Sequence, residues 1–576
     1  MAMAEERDTT VAPPVPADPL PAETVPAESF PTESFPTGIT SAELPPPPAH
    51  TAPPAHTASP AHTASPAHTA SPAHTASPAH TASPAHTASP AHTAPPARRR
   101  RRRRGGARTF RRVAALLIVA ALIATGGATV PDRTGPGWAS PGLIGGGGWP
   151  FAGVPLPAAQ AEGASYLPDS SVVRLADGRI RLIPTGGEQP VTVDASDPRV
   201  DQAVRSDNAW LSQGTIPAGG LDPATGTDMG YRDMAARALL DLRLLTRPNG
   251  ASLASWYSKW RYCWPRDSAF AVAAFTVTGH PAEARRILRF LSRAQNENGM
   301  WAARYNPDGT AVADGRAPQL DSLGWVLWAT WFHRVHGHGQ RDELPELWPM
   351  VQRAADHLAR SLDAEGLPPA SSDYWERDHR REEDPRRPTL GVVGPVLAGL
   401  RSAADLARRR GEGGDAARWH GAAQRVSAAV DRQFAPYGYP RSPVPGGLMD
   451  TSVTFIAPPF AAADPDVTAA IAAAARKTAL PNGGVLPGER WSGNPDVAWT
   501  PETAMFGLNA AASGRTGDAL GRLSWLSAHR TSLGVLPEKV GPTGEPAGPA
   551  PLGWTASLVL LSLSALEDPL PVPPAR

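Results

Sequence analysis

From Tyr231 onward the apolar residues fall at helical spacing. Ala284, Ile287, Leu288 and Leu291 form one stripe, and Leu323, Leu327, Trp331 and Val335 form another; such i, i+3, i+4, i+7 patterns mark helices with one apolar face. The periodicity predicts twelve helices, over 231–246, 266–278, 281–295, 318–336, 344–362, 389–410, 415–434, 449–460, 464–477, 499–513, 515–530 and 552–567. Connections from even to odd helices are short, such as Gly279-His280, the turn from Gly411 to Gly414 and the turn at Gly514, whereas those from odd to even helices are long. Short connections make antiparallel neighbours, so the long loops all collect at one end. Long loops in a compact domain usually carry function. The pattern describes an all-α domain over 225–570, an (α/α)6 toroid with one elaborated face.

Upstream the periodicity changes. Within 161–224 the runs SVVRL, RIRLI and PVTVD alternate and are separated by Asp177-Gly178 and Gly186-Gly187, which predicts a small β-meander too small for a core of its own. Residues 131–160 are rich in Gly and Pro and read as a linker. The run Val113 to Val130 carries no charge and is long enough, at 1.5 Å per residue, to reach the lower limit for a transmembrane helix. It is preceded in 98–112 by Arg98 to Arg104, Arg108, Arg111 and Arg112. Arginines on that flank place the N-terminus in the cytoplasm and the helical domain outside, on a single-pass membrane anchor; a cleaved signal peptide with a long basic region is the alternative. Residues 1–97 are a disordered tail rich in Pro, Ala and Thr, with a hexapeptide, AHTASP or AHTAPP, repeated over 49–96. A proline in every unit and no apolar face exclude a stacked solenoid.

Composition narrows the class of function. All seventeen tryptophans follow residue 137, so the aromatic residues belong to the part that folds. The net charge of +1 sums an acidic start, the arginine cluster and a nearly balanced remainder, and gives no support to nucleic-acid binding. A single cysteine excludes an internal disulfide framework. No metal-binding spacing and no Gly-rich phosphate loop stands out; His333, His336 and His338 sit at the short-loop end, and no cofactor is called for.

Candidate chemistry lies on the long loops. The first carries WRYCWPRDSAF, in which Trp264 backs Arg266 and Asp267, a fork of donors and an acceptor beside a flat apolar wall. That combination suits a ring of sugar hydroxyls, and a buried ion pair at a helix start looks the same in sequence. The second loop holds Trp301, Arg304 and Tyr305 and ends on Gln319 and Asp321; the third holds Asp373, Trp375 and Glu376; the fifth, Glu489, Arg490, Trp491 and Trp499; the sixth, Glu538. Glycoside hydrolysis needs two carboxyls on opposite sides of a sugar, one giving a proton and one accepting it. Glu376 beside Trp375 and Glu538 beside Leu536-Pro537 are the candidates, since apolar neighbours favour a proton on a carboxyl.

At these residues the chain resembles the glucoamylase-type inverting glycosidases of glycoside hydrolase family 15. The likeness runs from about Tyr231 to Leu566 and keeps five motifs in order: LLTRPNGASLAS with RYCWPRDSAF, then Gln319-Leu320-Asp321, then Asp373, Trp375 and Glu376 as D-x-W-E, then Leu536-Pro537-Glu538 as L-x-E, then TGEPAGPAPLGW. The resemblance implies that Glu376 is the general acid and Glu538 the general base. It implies that Arg266 and Asp267 hold the terminal sugar, with Trp264, Trp301, Arg304, Tyr305, Gln319, Asp321, Asp373 and Trp375 as further substrate-binding candidates. The implied activity is exo-acting release of a terminal glucose from an α-glucoside. Three departures concern the substrate: the charged run after the acid, RDHRREEDPRR, the Gly553-Trp554-Thr555 of the last motif, and the small meander in place of a large N-terminal β-sandwich. A carbohydrate-binding or cell-wall-associated protein with weak or no turnover is the rival reading, and it needs neither glutamate.

Overall fold

The computed structural model describes residues 163–575, except 186–189, 221–225, 227–228, 256–259 and 338–343. The tail with its repeats, the arginine segment, the apolar run 113–130 and the linker 131–160 lie outside the described residues. Four short strands, β1 (Ser165–Tyr166), β2 (Val172–Arg174), β3 (Ile180–Leu182) and β4 (Val191–Val193), form an antiparallel meander in sequence order. This is the sheet expected in 161–224, but that segment also holds a helix the sequence reading missed, α1 (Pro198–Leu211). Its start was written in the chain: Asp197 accepts the amide of Arg199, and Pro198 opens the first turn.

The helical domain follows with α2 (Arg232–Leu245), α3 (Pro265–Val277), α4 (Pro281–Ala294), α5 (Asp321–His336), α6 (Leu344–Ser361), α7 (Leu390–Arg410) and α8 (Gly413–Gln433). After a 3-10 segment at Thr451–Ile456 come α9 (Pro465–Lys477), α10 (Thr500–Ala512), α11 (Thr516–Ala528) and α12 (Gly553–Glu567). Contacts close a ring: α3 packs on α5, α5 on α7, α7 on the 3-10 segment, that segment on α10, α10 on α12, and α12 back on α3. The inner members are apolar nearly all round; α12 exposes almost nothing between Gly553 and Leu563. The outer ones are one-sided, as in α4, where Ile287, Leu288, Phe290 and Leu291 are buried. This difference decides which helices can line the ring, because only a helix without a polar face can be enclosed on every side. The long helix α7 is apolar enough to cross a bilayer by composition, yet it is buried as an inner member of the ring.

One predicted helix, 449–460, is instead the short 3-10 segment. Its β-branched run is fully buried, Asp450 caps it through the Ser452 amide, and Pro458 and Pro459 supply no amide to continue it. Helices α5 and α7 cross at two glycines: a Cβ on Gly399 would sit 2.6 Å from the Gly324 Cα. Each long loop leads from an outer helix into the N-terminus of an inner one, so the first turns of α3, α5, α7, α10 and α12 and the loops before them share one end of the ring.

Candidate active site

At that end lies a cavity of about 200 Å³ whose walls come from five of the six long loops. Much of its lining is aromatic: Trp260, Trp264, Trp375, Trp491, Trp499 and Trp554 all reach it. Four carboxyls lie among them, Asp267, Glu376, Glu502 and Glu538. Arg266, Arg304 and Arg316 complete the lining with Tyr374.

Arg266 stands in the first turn of α3, where Pro265 begins the helix. Its guanidinium donates to Gln319 Oε1 (3.2 Å), Asp321 Oδ2 (3.0 Å) and Glu376 Oε1 (2.9 Å). The residue expected to hold a sugar therefore has donors committed to Gln319 and Asp321 behind it and one to Glu376, which it orients. Gln319 Nε2 donates to the same Glu376 oxygen at 3.0 Å. The other oxygen, Oε2, accepts from Arg316 Nη1 at 2.5 Å; Arg316 is a partly exposed residue that the sequence reading passed over. The backbone of Glu376 is also constrained. Its φ of 56° lies in the left-handed region, closed by a turn in which the Glu376 amide donates to the Asp373 carbonyl.

Beneath that turn Asp373 is fully buried and lines no part of the cavity. It accepts from the Trp375 amide, Thr389 and Arg441, so it shapes the acid loop from below. Arg441 itself pairs with Asp373, Asp450 and Glu382 and lies 3.8 Å under the ring of Trp375. Arg377, the first residue of the charged run after the acid, rests on the faces of Trp491 and Trp375, at 4.4 and 5.1 Å.

Glu538 is placed by a small second sheet: β5 (Ala498–Trp499), β6 (Lys539–Val540) and β7 (Pro546–Ala547), with Trp499 opposite Lys539. Glu538 Oε1 accepts from Trp260 Nε1 at 2.9 Å, and Oε2 lies 3.1 Å from Lys539 Nζ. Burial raises its pKa, with Lys539 and the Trp260 hydrogen bond opposing the shift. Gly548 makes room for it. A Cβ there would come within 2.8 Å of Glu538 Oε2, and the Gly548 φ of 72° is one that other residues rarely adopt.

Of the residues predicted to bind substrate, Trp264, Arg266, Asp267, Arg304 and Trp375 line the cavity with both glutamates. The expectation of sugar contact is corrected for the others. Trp301 is fully buried with its indole N–H on the Leu291 carbonyl, and Tyr305 gives its hydroxyl to the Ala294 carbonyl. Gln319 and Asp321 stand behind Arg266 and face no open space. Three polar lining residues were missed, Arg316, Tyr374 and Glu502; a Thr-Pro-Glu reads in sequence as an ordinary helix start.

The walls carry polar atoms with unused hydrogen-bonding capacity. Asp267 Oδ2 and Glu538 Oε2 each face a cation, Arg266 Nε at 3.5 Å and Lys539 Nζ at 3.1 Å, while the indole N–H groups of Trp264, Trp375 and Trp554 and Glu502 Oε2 are buried and make no hydrogen bond. Such groups are costly unless something polar meets them. Three donors and three acceptors around one small space fit a ligand that both donates and accepts at closely spaced positions, as a sugar ring does.

Comparison with known proteins agrees with this geometry. Residues 291–457, which include Glu376, match the family described as Glycosyl hydrolases family 15. An uncharacterized glycosyl hydrolase of Methanocaldococcus jannaschii is 31% identical over 124 residues, 21% of this chain and 20% of that one. The chain thus spans about a fifth of that relative's length. Isomaltose glucohydrolase of Kribbella flavida is 26% identical over 310 residues, 48% of this chain and 74% of that one. A solved glycosidase shares the fold, with a TM-score of 0.51 at 22% identity over 60% of this chain and 99% of that one. Over 291–457 the chain is similar to glycosyl hydrolases family 15, and its helical ring has the fold of that solved glycosidase.

Proposed function

We propose that the protein is an exo-acting α-glucosidase that removes the terminal glucose from an α-glucoside or α-glucan with inversion at the anomeric carbon. The observation that carries this reading is the set of unpartnered indole donors around one cavity, with Glu376 and Glu538 both in its walls. At about 200 Å³ the cavity is smaller than the roughly 300–1,000 Å³ of sites for drug-sized ligands. That size suits one sugar ring, hence attack at a chain end. Apolar ring faces stack on the tryptophans while the hydroxyls meet Asp267 and the indoles.

In this reading Glu376 gives a proton to the departing glycosidic oxygen. Its Oε1 is committed to Arg266 and Gln319, so Oε2 is the oxygen that presents the proton, after Arg316 has swung from it toward solvent. Glu538 takes a proton from the attacking water as that water bonds to the anomeric carbon and the glycosidic bond breaks. One displacement on an α-linked substrate releases the β-anomer first. Proton NMR of the earliest product, taken before mutarotation, checks this, and initial release of the α-anomer would rule out inversion.

The relative from Kribbella flavida is named for isomaltose, which makes α-1,6-linked glucosides the first substrates to try in a panel with α-1,4-linked ones and trehalose. Hydrolysis of none of them would overturn the reading. The same proposal includes a membrane anchor at 113–130 with the catalytic ring outside the cell, a point supported by the order of arginines and apolar run alone. Gly548→Ala should lower turnover by about tenfold to a hundredfold, because a Cβ there displaces Glu538. Steady-state kinetics on the best substrate test it, and an unchanged kcat would show that Gly548 does not set the position of Glu538.

A further inference from the structure

Glu502 lies in the first turn of α10 and is only 4% exposed, yet it belongs to the wall of the cavity. Its Oε2 has no hydrogen-bond partner. The helix start that holds it is laced to Glu538: the Thr500 amide donates to the Glu538 carbonyl at 3.0 Å, and the Thr500 hydroxyl donates to the Pro537 carbonyl at 2.5 Å and meets the Thr555 hydroxyl at 2.8 Å. Glu502 and Glu538 are thereby fixed relative to each other by backbone, on the same side of the space. A carboxyl oxygen kept dry and unpaired is destabilising to the fold by itself, so its place here is explained by what enters the cavity.

We propose that Glu502 is a fourth carboxyl of the sugar site, beside Asp267, Glu376 and Glu538, one that donates a hydrogen bond from its carboxyl O–H to a hydroxyl of the terminal sugar on the Glu538 side. The inference rests on the glycosidase reading above and adds a substrate contact to it. The charged and titratable groups facing Glu502 are Glu538 and Lys539 from the loop before α12, Arg266 from α3 and Tyr374 from the loop before α7. Burial is the largest influence and pushes its pKa up to about 8, with Glu538 adding to the shift and Arg266 and Lys539 opposing it. The sign follows: below about pH 8 the group is neutral and carries an O–H donor, and above it the group becomes a carboxylate that has lost the donor and repels ionised Glu538. Sugar affinity is then full at about pH 6 and falls as pH rises through about 8.

The test uses Glu502→Gln, whose amide keeps a donor and carries no charge at any pH, and Glu502→Leu, which keeps volume and removes the donor. Binding of D-glucose is measured by calorimetry and hydrolysis of the best α-glucoside by initial rates, each from about pH 5.5 to 9, after thermal melts establish that the variants are folded. Glu502→Gln should bind glucose within about threefold of wild type at pH 6 and lose the fall near pH 8. Glu502→Leu should bind about tenfold more weakly at pH 6, the size expected for one hydrogen bond to a neutral group, with the change in KM exceeding that in kcat. Should Glu502→Leu prove unfolded, the pH profile of Glu502→Gln alone decides. Wild-type affinity in a folded Glu502→Leu, or an unchanged alkaline fall in Glu502→Gln, overturns the role of Glu502 while leaving the glycosidase reading in place. A wild-type protein that neither binds glucose nor cleaves any α-glucoside overturns both.

Discussion

Glu376→Gln and Glu538→Gln should each lower turnover by about two to four orders of magnitude, the range for removing a positioned acid or base. Both replacements keep the shape of the side chain. The amide that replaces the Glu376 carboxyl would still accept from Arg266 through its carbonyl oxygen, and the amide that replaces the Glu538 carboxyl would still accept from Trp260, so the loops should stay in place. The two losses should differ in kind. On a substrate whose leaving group departs without a proton, such as a glucosyl fluoride, Glu376→Gln should recover most of its rate, because the acid step is no longer needed. Glu538→Gln should stay slow on the same substrate, since water must still be deprotonated. Initial rates on the fluoride and on the best natural-type glucoside separate the two roles, and near wild-type rates for either variant on both substrates would overturn its assignment.

How much of this was legible in the chain depends on what kind of signal each feature leaves. Helix positions were, since apolar spacing and the alternation of loop lengths repeat along the domain, and the ring of inner helices begins where the long loops end. Helix α1 escaped because its residues fall in a segment read for strands, although Asp197-Pro198 announces a helix start. The segment 449–460 failed for a different reason: its apolar residues are as buried as those of its neighbours, but periodicity does not separate an α-helix from a 3-10 turn closed by prolines. In the site, the residues within recognisable loop motifs were found, but direction was not. Trp301 and Tyr305 stand in the same loop as Arg304, and only the last turns toward the cavity. Sequence spacing along an irregular loop carries no fixed orientation, in contrast to a helix or strand. Glu502 needed the fold, because what sets it apart is burial without a partner.

Arg441 was singled out by no motif, and its removal should produce the largest loss of stability. It is 4% exposed in its side chain and holds three carboxylates: Asp450 at 2.8 Å, Asp373 at 2.9 Å and Glu382 at 2.7 Å. The contact with Glu382 is bidentate, through Nε and Nη2, and the plane of the guanidinium lies on Trp375. Its carbonyl accepts the Leu390 amide at the start of α7. Arg441→Ala would leave Asp373 and Asp450 buried without their cation, and breaking a buried pair in this way costs about 3–5 kcal/mol. The acid loop should follow, because Asp373 would lose its hold and Trp375 its support, so kcat should fall with stability. Arg441→Lys should recover only part of either, since a single ammonium cannot span the fork that meets three partners. Pairing Arg441→Met with Asp373→Asn and Asp450→Asn removes the two most deeply buried charges together with the cation and leaves Glu382, the more exposed of the three carboxylates. That triple variant should regain most of the stability but not the activity, because the neutral set can pack while nothing plates Trp375 from below. Urea midpoints and steady-state rates on wild type and these variants separate the effects. An Arg441→Ala protein that unfolds within about 1 kcal/mol of wild type, where exposed ion pairs fall, would show that the buried network is not what holds the acid loop.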